Sequence, residues 1–332
     1  MRAFITGATG LVGRHLARQL VEHGWSVSAI IRETSDPSAL KSLGVKLYVC
    51  DLSRDRPSPE MLRDADVAFH LAAAVRDWAP QTYFFDHTVQ ATQRVCDAMV
   101  AAGCKRLVHM STVGVYGVPH RGELVTEDHQ LGNLRGWNYY RTSKIRSEEI
   151  AWQQHISQRL QVTVLRPGMV YGNGDRTMVG QVASLLRRRK LVFMGDPRVP
   201  LPLIHAEDLA TAAIAAATCG RAVGEAFNVV NPEIVTQEQF FNTIASLVGA
   251  PLVTRHVPYR LAYTLGLAAE IAGHLFMSKH APPVTRYRVF LFGYRRAYSV
   301  QKIQQLLSWQ PRIAFADGIR QTAAWYRSQN HS

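Results

Sequence analysis

The chain has 332 residues, which corresponds to about two domains of average size and allows a large buried core. Hydrophobic residues make up 47% and charged residues 19% of the sequence, and this composition excludes a disordered or fibrous protein. Lys and Arg number 38 against 25 Asp and Glu, so the net charge is +13, which favours an anionic partner (phosphate cofactor, acidic lipid surface or nucleic acid) without identifying one.

The spacing of the cysteines and the lengths of the apolar segments indicate the cellular compartment in which we expect the protein. The four cysteines are widely spaced and include no Cys-x-x-Cys pair, so we expect neither a disulfide scaffold nor a zinc ribbon. The first residues form too short an apolar run for a secretory signal, and no stretch of about 18 uncharged apolar residues predicts a spanning helix. The histidines show no metal-ligand spacing, so no metal site is expected. We predict a cytoplasmic protein.

The chain opens with a short apolar run, residues 2–6, followed by glycines at three-residue spacing and then by a helical pattern. A turn between strand and helix needs a residue free of Cβ constraints, a second glycine lets backbone N–H groups approach a pyrophosphate, and a third allows close helix packing. The helix N-terminus also favours negative charge. The residues predicted to contact a dinucleotide here are Gly7, Thr9, Gly10, Leu11, Val12 and Gly13.

The end of the second predicted strand, residues 25–31, bears on the choice of cofactor. NAD-binding sites usually end this strand with an acidic residue that accepts hydrogen bonds from the ribose. Here Ile31 stands at that position and Arg32 follows. No carboxylate repels a 2′-phosphate, and the Arg32 guanidinium can bind one. We therefore expect NADP(H) in preference to NAD(H), with a solvated Arg32 as the alternative interpretation.

Further strands are predicted at 45–50, 67–71, 107–110 and 162–165, with helical patterns between them at 87–102 and 139–155. Strands that alternate with helices at this spacing predict an α/β fold with a doubly wound parallel sheet. The cofactor contacts expected at the strand ends are Asp51, Leu52, Leu71, Ala72 and Ala73. Capping of a helix is the competing role for Asp51.

A tyrosine, a lysine and a hydroxyl residue at the end of the fifth strand can act in catalysis. Tyr140 and Lys144 are four residues apart and therefore share one face of a predicted helix, whereas Tyr139 has no lysine at that spacing. An ammonium group near a phenol lowers the pKa of the phenol, and a hydroxyl from the end of the fifth strand can bind the substrate oxygen. We expect a proton relay next to a hydride carrier.

The order and spacing of these motifs resemble the extended short-chain dehydrogenase/reductase superfamily over residues 1 to about 172. The resemblance implies Thr112 as the catalytic hydroxyl, Tyr140 as acid/base and Lys144 as its activator and a ligand of the nicotinamide ribose. It also implies that Ser111 and Pro167 lie beside the nicotinamide. The sequence departs from the family at Thr88, where an asparagine often supports a relay.

The expected division is a dinucleotide-binding Rossmann domain, 1–172, and a mainly substrate-binding lobe, 173–332, from which a segment such as 203–230 can return to the first domain. In the second half, the family resemblance implies a helix over 208–218 that starts at Asp208. Thr236 is predicted to cap another helix. Segments 282–287 and 306–311 resemble the 3β-hydroxysteroid dehydrogenase and dihydroflavonol-reductase-like branch. That resemblance implies a bulky hydrophobic substrate, such as a sterol-like, terpenoid or oxo-lipid compound.

The segment 259–277 predicts an apolar helix within a basic region, since residues 251–332 contain nine arginines and two lysines against Glu270 and Asp317. Such a helix packs its apolar face against the lobe, lies in a lipid headgroup layer, or does both. Peripheral membrane association is therefore one expectation. The family resemblance also allows a homodimer, for which the sequence itself offers no evidence. No nucleic-acid partner is expected, because the cationic run 187–190 lacks interleaved aromatics.

These observations favour an NADP(H)-dependent oxidoreductase that interconverts a secondary alcohol and a ketone on a hydrophobic substrate. The first alternative is an NAD-dependent nucleotide-sugar epimerase or dehydratase. Ile31 and Arg32 disfavour this alternative, whereas basic residues such as Arg176 and Arg187 support it. A non-catalytic NAD(P)-binding sensor is the second, which the presence of Thr112, Tyr140 and Lys144 disfavours.

Overall fold

A computed structural model describes residues 1–76, 78–119, 122–132, 138–276, 278 and 280–329. Its strands are Arg2–Thr6 (β1), Ser26–Ile31 (β2), Lys46–Val49 (β3), Val67–His70 (β4), Arg106–Met110 (β5), Leu124–Val125 (β6), Gln161–Pro167 (β7), Met169–Tyr171 (β8), Phe193–Met194 (β9), Leu203–His205 (β10), Ala226–Val229 (β11), His256–Val257 (β12) and Ala297–Tyr298 (β13). Its helices are Leu11–Glu22 (α1), Ser38–Ser42 (α2), Gln81–Phe84 (α3), Ala91–Ala102 (α4), Tyr139–Ile156 (α5), Met178–Arg187 (α6), Ala206–Thr218 (α7), Gln237–Leu247 (α8), Tyr259–Leu275 (α9), Arg286–Gly293 (α10), Gln301–Leu307 (α11) and Phe315–Gln329 (α12).

A seven-stranded sheet forms the centre of the described structure, in the order β3-β2-β1-β4-β5-β7-β11. Every neighbouring pair in it is parallel. Helices cover both faces, and the strand order reverses between β1 and β4, the kind of switch point at which open α/β sheets bind ligands. The predicted doubly wound parallel sheet is confirmed.

The last strand of this sheet, β11, comes from the second half of the chain. It pairs with β7 from Ala226 opposite Val164 to Val229 opposite Pro167. Helix α7 packs against α1, where Arg18 Nη2 lies 2.7 Å from Glu207 Oε1. The Rossmann layers therefore use residues from both halves, and the exact division into domains stays a prediction.

The predicted start of a helix at Asp208 is wrong. Helix α7 begins at Ala206, and the side chain of His205 caps it by accepting from the Glu207 N–H. Asp208 instead accepts hydrogen bonds from the N–H groups of Arg312 and Ile313, so it ties a distant loop to the helix. The predicted cap at Thr236 is confirmed as a capping box with Gln239 at the start of α8.

A second apolar core lies under the C-terminal half, around α6, α8 and α12. Its largest buried side chains include Tyr171, Phe240 and Phe241. Two-stranded pairs, β10-β8, β12-β9 and β13-β6, border it or link it to the main sheet. No helix in the described part of the chain is long and apolar enough to cross a bilayer.

Candidate active site

The predicted glycine turn lies between β1 and α1 at the C-terminal edge of the sheet. Gly7 has φ +74° and runs so close to the loop after β4 that a Cβ would stand 2.8 Å from the Ala72 nitrogen. A Cβ on Gly13 would collide with the Gly7 carbonyl oxygen. Because both contacts are with backbone, no side chain can move aside for a larger residue.

The first turn of α1 has the features of an anion site. Gly10 precedes the helix in an extended conformation without a side-chain cap, so no side chain of the turn competes for the first N–H groups. Ser111, at the end of β5, has a buried hydroxyl without a hydrogen-bond partner among the described residues. A polar ligand that reaches both positions would satisfy these groups, so the residues present fit a dinucleotide.

The other predicted cofactor residues follow their strands at the same edge. Arg32 follows β2 and is exposed. Asp51, after β3, accepts from the N–H and hydroxyl of Ser53, so its carboxylate stabilises a local turn and does not cap a helix. These bonds and nearby charges lower the pKa of Asp51, against the opposing and largest single effect of burial. Leu52 is buried and its carbonyl accepts from Arg94.

The loop after β4, with Leu71, Ala72 and Ala73, is held by buried threonines. The Thr6 hydroxyl lies 2.7 Å from His70 Nδ1 and accepts from the Ala72 N–H. Thr88, the residue that departs from the family pattern, accepts from the Ala74 N–H at 3.0 Å. Thr88 therefore supports the loop backbone from its position in the helical stretch before α4.

Two histidines behind this loop, His70 and His109, are buried with ring centroids 5.5 Å apart. Burial lowers the pKa of His70 to about 3 and that of His109 well below its usual range, with a further contribution from the Lys144 charge. Both rings are therefore neutral near pH 7. They belong to the core of the sheet, as their apolar surroundings in the sequence predict.

Thr112 and Tyr140 meet at the end of β5 and the start of α5. Burial raises the pKa of the Tyr140 phenol, and the nearby Thr112 side chain partly offsets this effect. The sequence led us to expect a lowered phenol pKa. The structure differs because burial dominates and because Lys144 binds elsewhere.

Lys144 is buried one helical turn beyond Tyr140, and its Nζ donates to the Met110 carbonyl at 2.5 Å. Burial lowers the pKa of this ammonium to about 8, although the Glu148 carboxylate acts in the opposite direction. The ammonium thus lies at the end of β5, at the carbonyl of the residue that precedes Ser111. It remains charged at neutral pH.

A buried ion pair holds α5 against the sheet. Both Glu148 oxygens accept from the Arg166 guanidinium, with the shortest distance 2.7 Å, and Arg166 also donates to the Tyr116 hydroxyl. Glu148 lies one turn after Lys144 on the same helix. The pair therefore sets the position of the helix that carries Tyr140 and Lys144.

A cavity of about 710 Å³ opens beside Tyr140. Aromatic side chains from both halves of the chain line it, including Trp78, Phe84, Tyr139, Tyr259, Tyr287 and Phe290. The Tyr140 and Tyr287 ring centroids lie 6.3 Å apart. Trp78 lines this cavity and contacts His274, whereas Tyr83 stacks on His87.

Several cavity and turn residues escaped the sequence analysis. Arg141, which follows Tyr140, lines the cavity, and burial lowers the pKa of its guanidinium. Arg14 follows the last glycine of the turn, and both Arg14 and Arg176 lower the pKa of Asp36 after the main effect of its bonds to Ser38. No local motif distinguishes Arg141 from a solvated arginine, because only the fold brings it to the cavity.

A parallel sheet with this switch point, a glycine turn at its edge and a Tyr-x-x-x-Lys helix define an enzyme of the extended short-chain dehydrogenase/reductase class. The chain belongs to the NAD dependent epimerase/dehydratase family, whose model matches residues 3–230. It is therefore an NAD(P)-dependent oxidoreductase, and the predicted family is confirmed.

Known proteins similar over nearly the whole chain include a 2-alkyl-3-oxoalkanoate reductase of Shewanella oneidensis, 26% identical over 97% of this chain and 85% of the relative. A 3beta-hydroxysteroid-dehydrogenase/decarboxylase isoform 1 of Arabidopsis thaliana is 24% identical over 96% of this chain and 78% of the relative. Among solved structures, a UDP-glucuronic acid 4-epimerase from Bacillus cereus, in complex with UDP-glucuronic acid and NAD, superposes with TM-score 0.78 at 20% identity, over 99% of this chain and 100% of the other. That likeness shows the fold.

Proposed function

We propose that the protein is an NADP(H)-dependent oxidoreductase that interconverts a ketone and a secondary alcohol on a bulky hydrophobic substrate. The observation that carries this proposal is the position of Tyr140 at the wall of an aromatic cavity, with the Thr112 side chain near its phenol. This pair presents two hydroxyl groups to one substrate oxygen. Bound NADPH would supply the hydride for the carbonyl carbon.

The roles of the residues follow from their chemistry. Tyr140 gives its phenolic proton to the carbonyl oxygen during reduction and takes it back during oxidation. Thr112 donates a hydrogen bond to that oxygen and orients the carbonyl. The Lys144 ammonium, one helical turn from Tyr140, would bind ribose hydroxyls of the cofactor and so position it beside the phenol. Its own bond to the Met110 carbonyl keeps it at the end of β5.

The aromatic lining and the printed activities of two relatives support the substrate class. One relative is named for an oxo acid with alkyl chains and the other for a hydroxysteroid, and both are apolar molecules with an oxygen that can be reduced or oxidised. A cavity of about 710 Å³ has the size of sites for molecules of this kind. We propose an oxo-lipid, sterol-like or terpenoid substrate.

Arg32 supports the preference for NADP(H). It follows β2, is exposed and can bind a 2′-phosphate, while the buried Ile31 replaces the usual acid. The variant Arg32→Asp is expected to shift the ratio of NADPH to NADH affinity toward NADH by about tenfold or more. An exposed arginine far from this edge, Arg159, supplies the matched control Arg159→Asp. An unchanged ratio in Arg32→Asp would show that Arg32 is a bystander.

The catalytic proposal is tested with Tyr140→Phe against the neighbouring Tyr139→Phe. Because general acid–base catalysis contributes about 10²–10⁴-fold, Tyr140→Phe should lose most of kcat and keep its affinity for NADPH. Tyr139 also borders the cavity, so Tyr139→Phe should mainly affect KM. A screen of oxo-lipids, sterols and nucleotide sugars with both cofactors supplies the substrate. Equal kcat of the two variants would refute the assignment.

The nucleotide-sugar alternative makes a different prediction. Three arginines, Arg141, Arg260 and Arg286, line the cavity, and a sugar diphosphate needs such cations. Arg286, however, is already paired with the buried Glu270. An epimerase would be purified with tightly bound NAD and would turn over a nucleotide sugar without net cofactor consumption, whereas the proposed enzyme consumes NADPH in step with substrate.

A further inference from the structure

The outer side of α9 carries a row of exposed apolar side chains, which we call the α9 apolar face: Leu261, Leu265, Ala268, Ala272, Leu275 and Phe276. Their spacing of three and four residues places them on one side of the helix. Leu275 is 75% exposed and Phe276 83% exposed, so these side chains pack little against the described part of the chain. The helix covers the lobe with its other side, which includes the buried Ala262 and Gly266, and the α9 apolar face points away from it. Met277, the last residue of the segment, lies outside the described residues.

The opposite side of α9 is fastened by small residues and one ion pair. A Cβ on Gly266 would stand 2.9 Å from the Arg286 nitrogen, and one on Gly273 would stand 3.0 Å from the Trp78 ring. Glu270 is buried and accepts from the backbone and side chain of Arg286. Contacts with the protein therefore account for one side of the helix and leave the α9 apolar face without a function in packing.

The segment of the chain that carries this face is strongly basic, although Asp196 from another segment lies near Arg295. Between residues 239 and 316 the sequence contains a single acid, Glu270, which is buried, and nine lysines and arginines. Arg255, Arg260 and Arg295 are exposed in this region. Two copies of the chain meeting through this face would bring like charges together, whereas an anionic surface would complement them.

We propose that the α9 apolar face docks on an anionic lipid bilayer. The helix lies flat in the headgroup layer, with Leu265, Leu275 and Phe276 entering the acyl region and Arg255 near the lipid phosphates. Tyr259, Tyr263 and Thr264, on the same helix, line the cavity. The docked helix is thus both a membrane contact and a wall of the proposed substrate site. The docking itself does not depend on the proposed reaction.

Co-sedimentation with vesicles tests this docking without an activity readout. The full chain is mixed with vesicles of phosphatidylcholine, with or without phosphatidylglycerol, at low and high salt. We expect pelleting only with phosphatidylglycerol, and less of it at high salt because the charges are screened. The variant Leu275→Gln/Phe276→Gln should lower the partition coefficient by about tenfold or more, since it removes two apolar anchors. Arg255→Glu should weaken binding mainly at low salt.

The matched control is Ile156→Gln/Ile234→Gln, which changes two side chains that are 78% and 76% exposed outside α9. This variant should pellet like the wild type, and the midpoint of thermal unfolding should be unchanged in both double variants. Absence of wild-type pelleting at low salt, or equal losses in both double variants, would overturn the proposal. A concentration-dependent dimer that only Leu275→Gln/Phe276→Gln disrupts, without lipid binding by the wild type, would assign the face to self-association and also overturn it.

Discussion

Polar and apolar side chains are arranged in opposite ways at the edge of the main sheet and on helix α9. At the sheet edge, Thr6 and Thr88 bind neighbouring backbone and side-chain groups, and the apolar strands are buried between helices. On α9 the acid is buried, and leucines and a phenylalanine face outward. Packing and internal hydrogen bonds explain most of the first arrangement, with the Ser111 hydroxyl left for a ligand. On α9, contacts within the described part of the chain explain the inner side of the helix and not the exposed one.

The largest expected effect that tests this contrast is at the glycine turn. Gly13→Ala forces a Cβ against the Gly7 carbonyl, so we expect a loss of more than about 2 kcal/mol in the free energy of unfolding and loss of NADPH binding. Gly220→Ala is the matched control, because a Cβ there meets nothing within 4 Å. Urea unfolding and fluorescence titration measure both effects. Normal cofactor binding by Gly13→Ala would contradict the close packing of the turn.

The buried histidines predict a loss of stability in acid. The pKa of His70 is lowered to about 3 in the folded chain, so between pH 6.5 and 3 the unfolded chain binds a proton that the folded chain does not. Stability therefore falls as the pH falls, by about 2 kcal/mol from pH 6.5 to pH 5 for this one group.

His70→Gln should remove that part of the pH dependence in urea unfolding at the two pH values. The exposed His23 supplies the control His23→Gln, which should retain the dependence of the wild type. The same slope in all three proteins would mean that His70 titrates normally and that the sheet interior is more hydrated than the structure shows.

Lys144 predicts that cofactor affinity depends on pH. Because burial lowers the pKa of its ammonium to about 8, the charge is lost as the pH rises through that value. We expect NADPH to bind about tenfold more weakly at pH 9 than at pH 7, since the neutral amine attracts the cofactor less. Lys144→Arg keeps its charge and should bind with little pH dependence. A flat wild-type profile would exclude the role of the ammonium in binding.

The smallest expected effect is on the outer side of α9. Leu275→Gln/Phe276→Gln should change the free energy of unfolding by less than about 0.5 kcal/mol, because both side chains are exposed in the free protein. Thermal or urea unfolding without lipid checks this. A large destabilisation would abolish the contrast between the two regions, because the face would then be part of a packed core.

The sequence predicted most of the sheet because buried parallel strands and glycine turns depend on local patterns. The predicted strands differ from those observed by one or two residues at their ends, and the helix with Tyr140 begins at Tyr139. The short strands β8, β9, β12 and β13 were not predicted, since two or three residues carry no periodicity. Arg141 was missed because its place in the cavity depends on contacts between distant segments.

The ion pair between Glu270 and Arg286 is one of several contacts that attach α9 by its inner side. The Trp78 ring lies against His274 and close to Gly273, and Tyr259 contacts Tyr294. Because these contacts all lie away from the α9 apolar face, substitutions on that face can change the surface of the protein without repacking its interior.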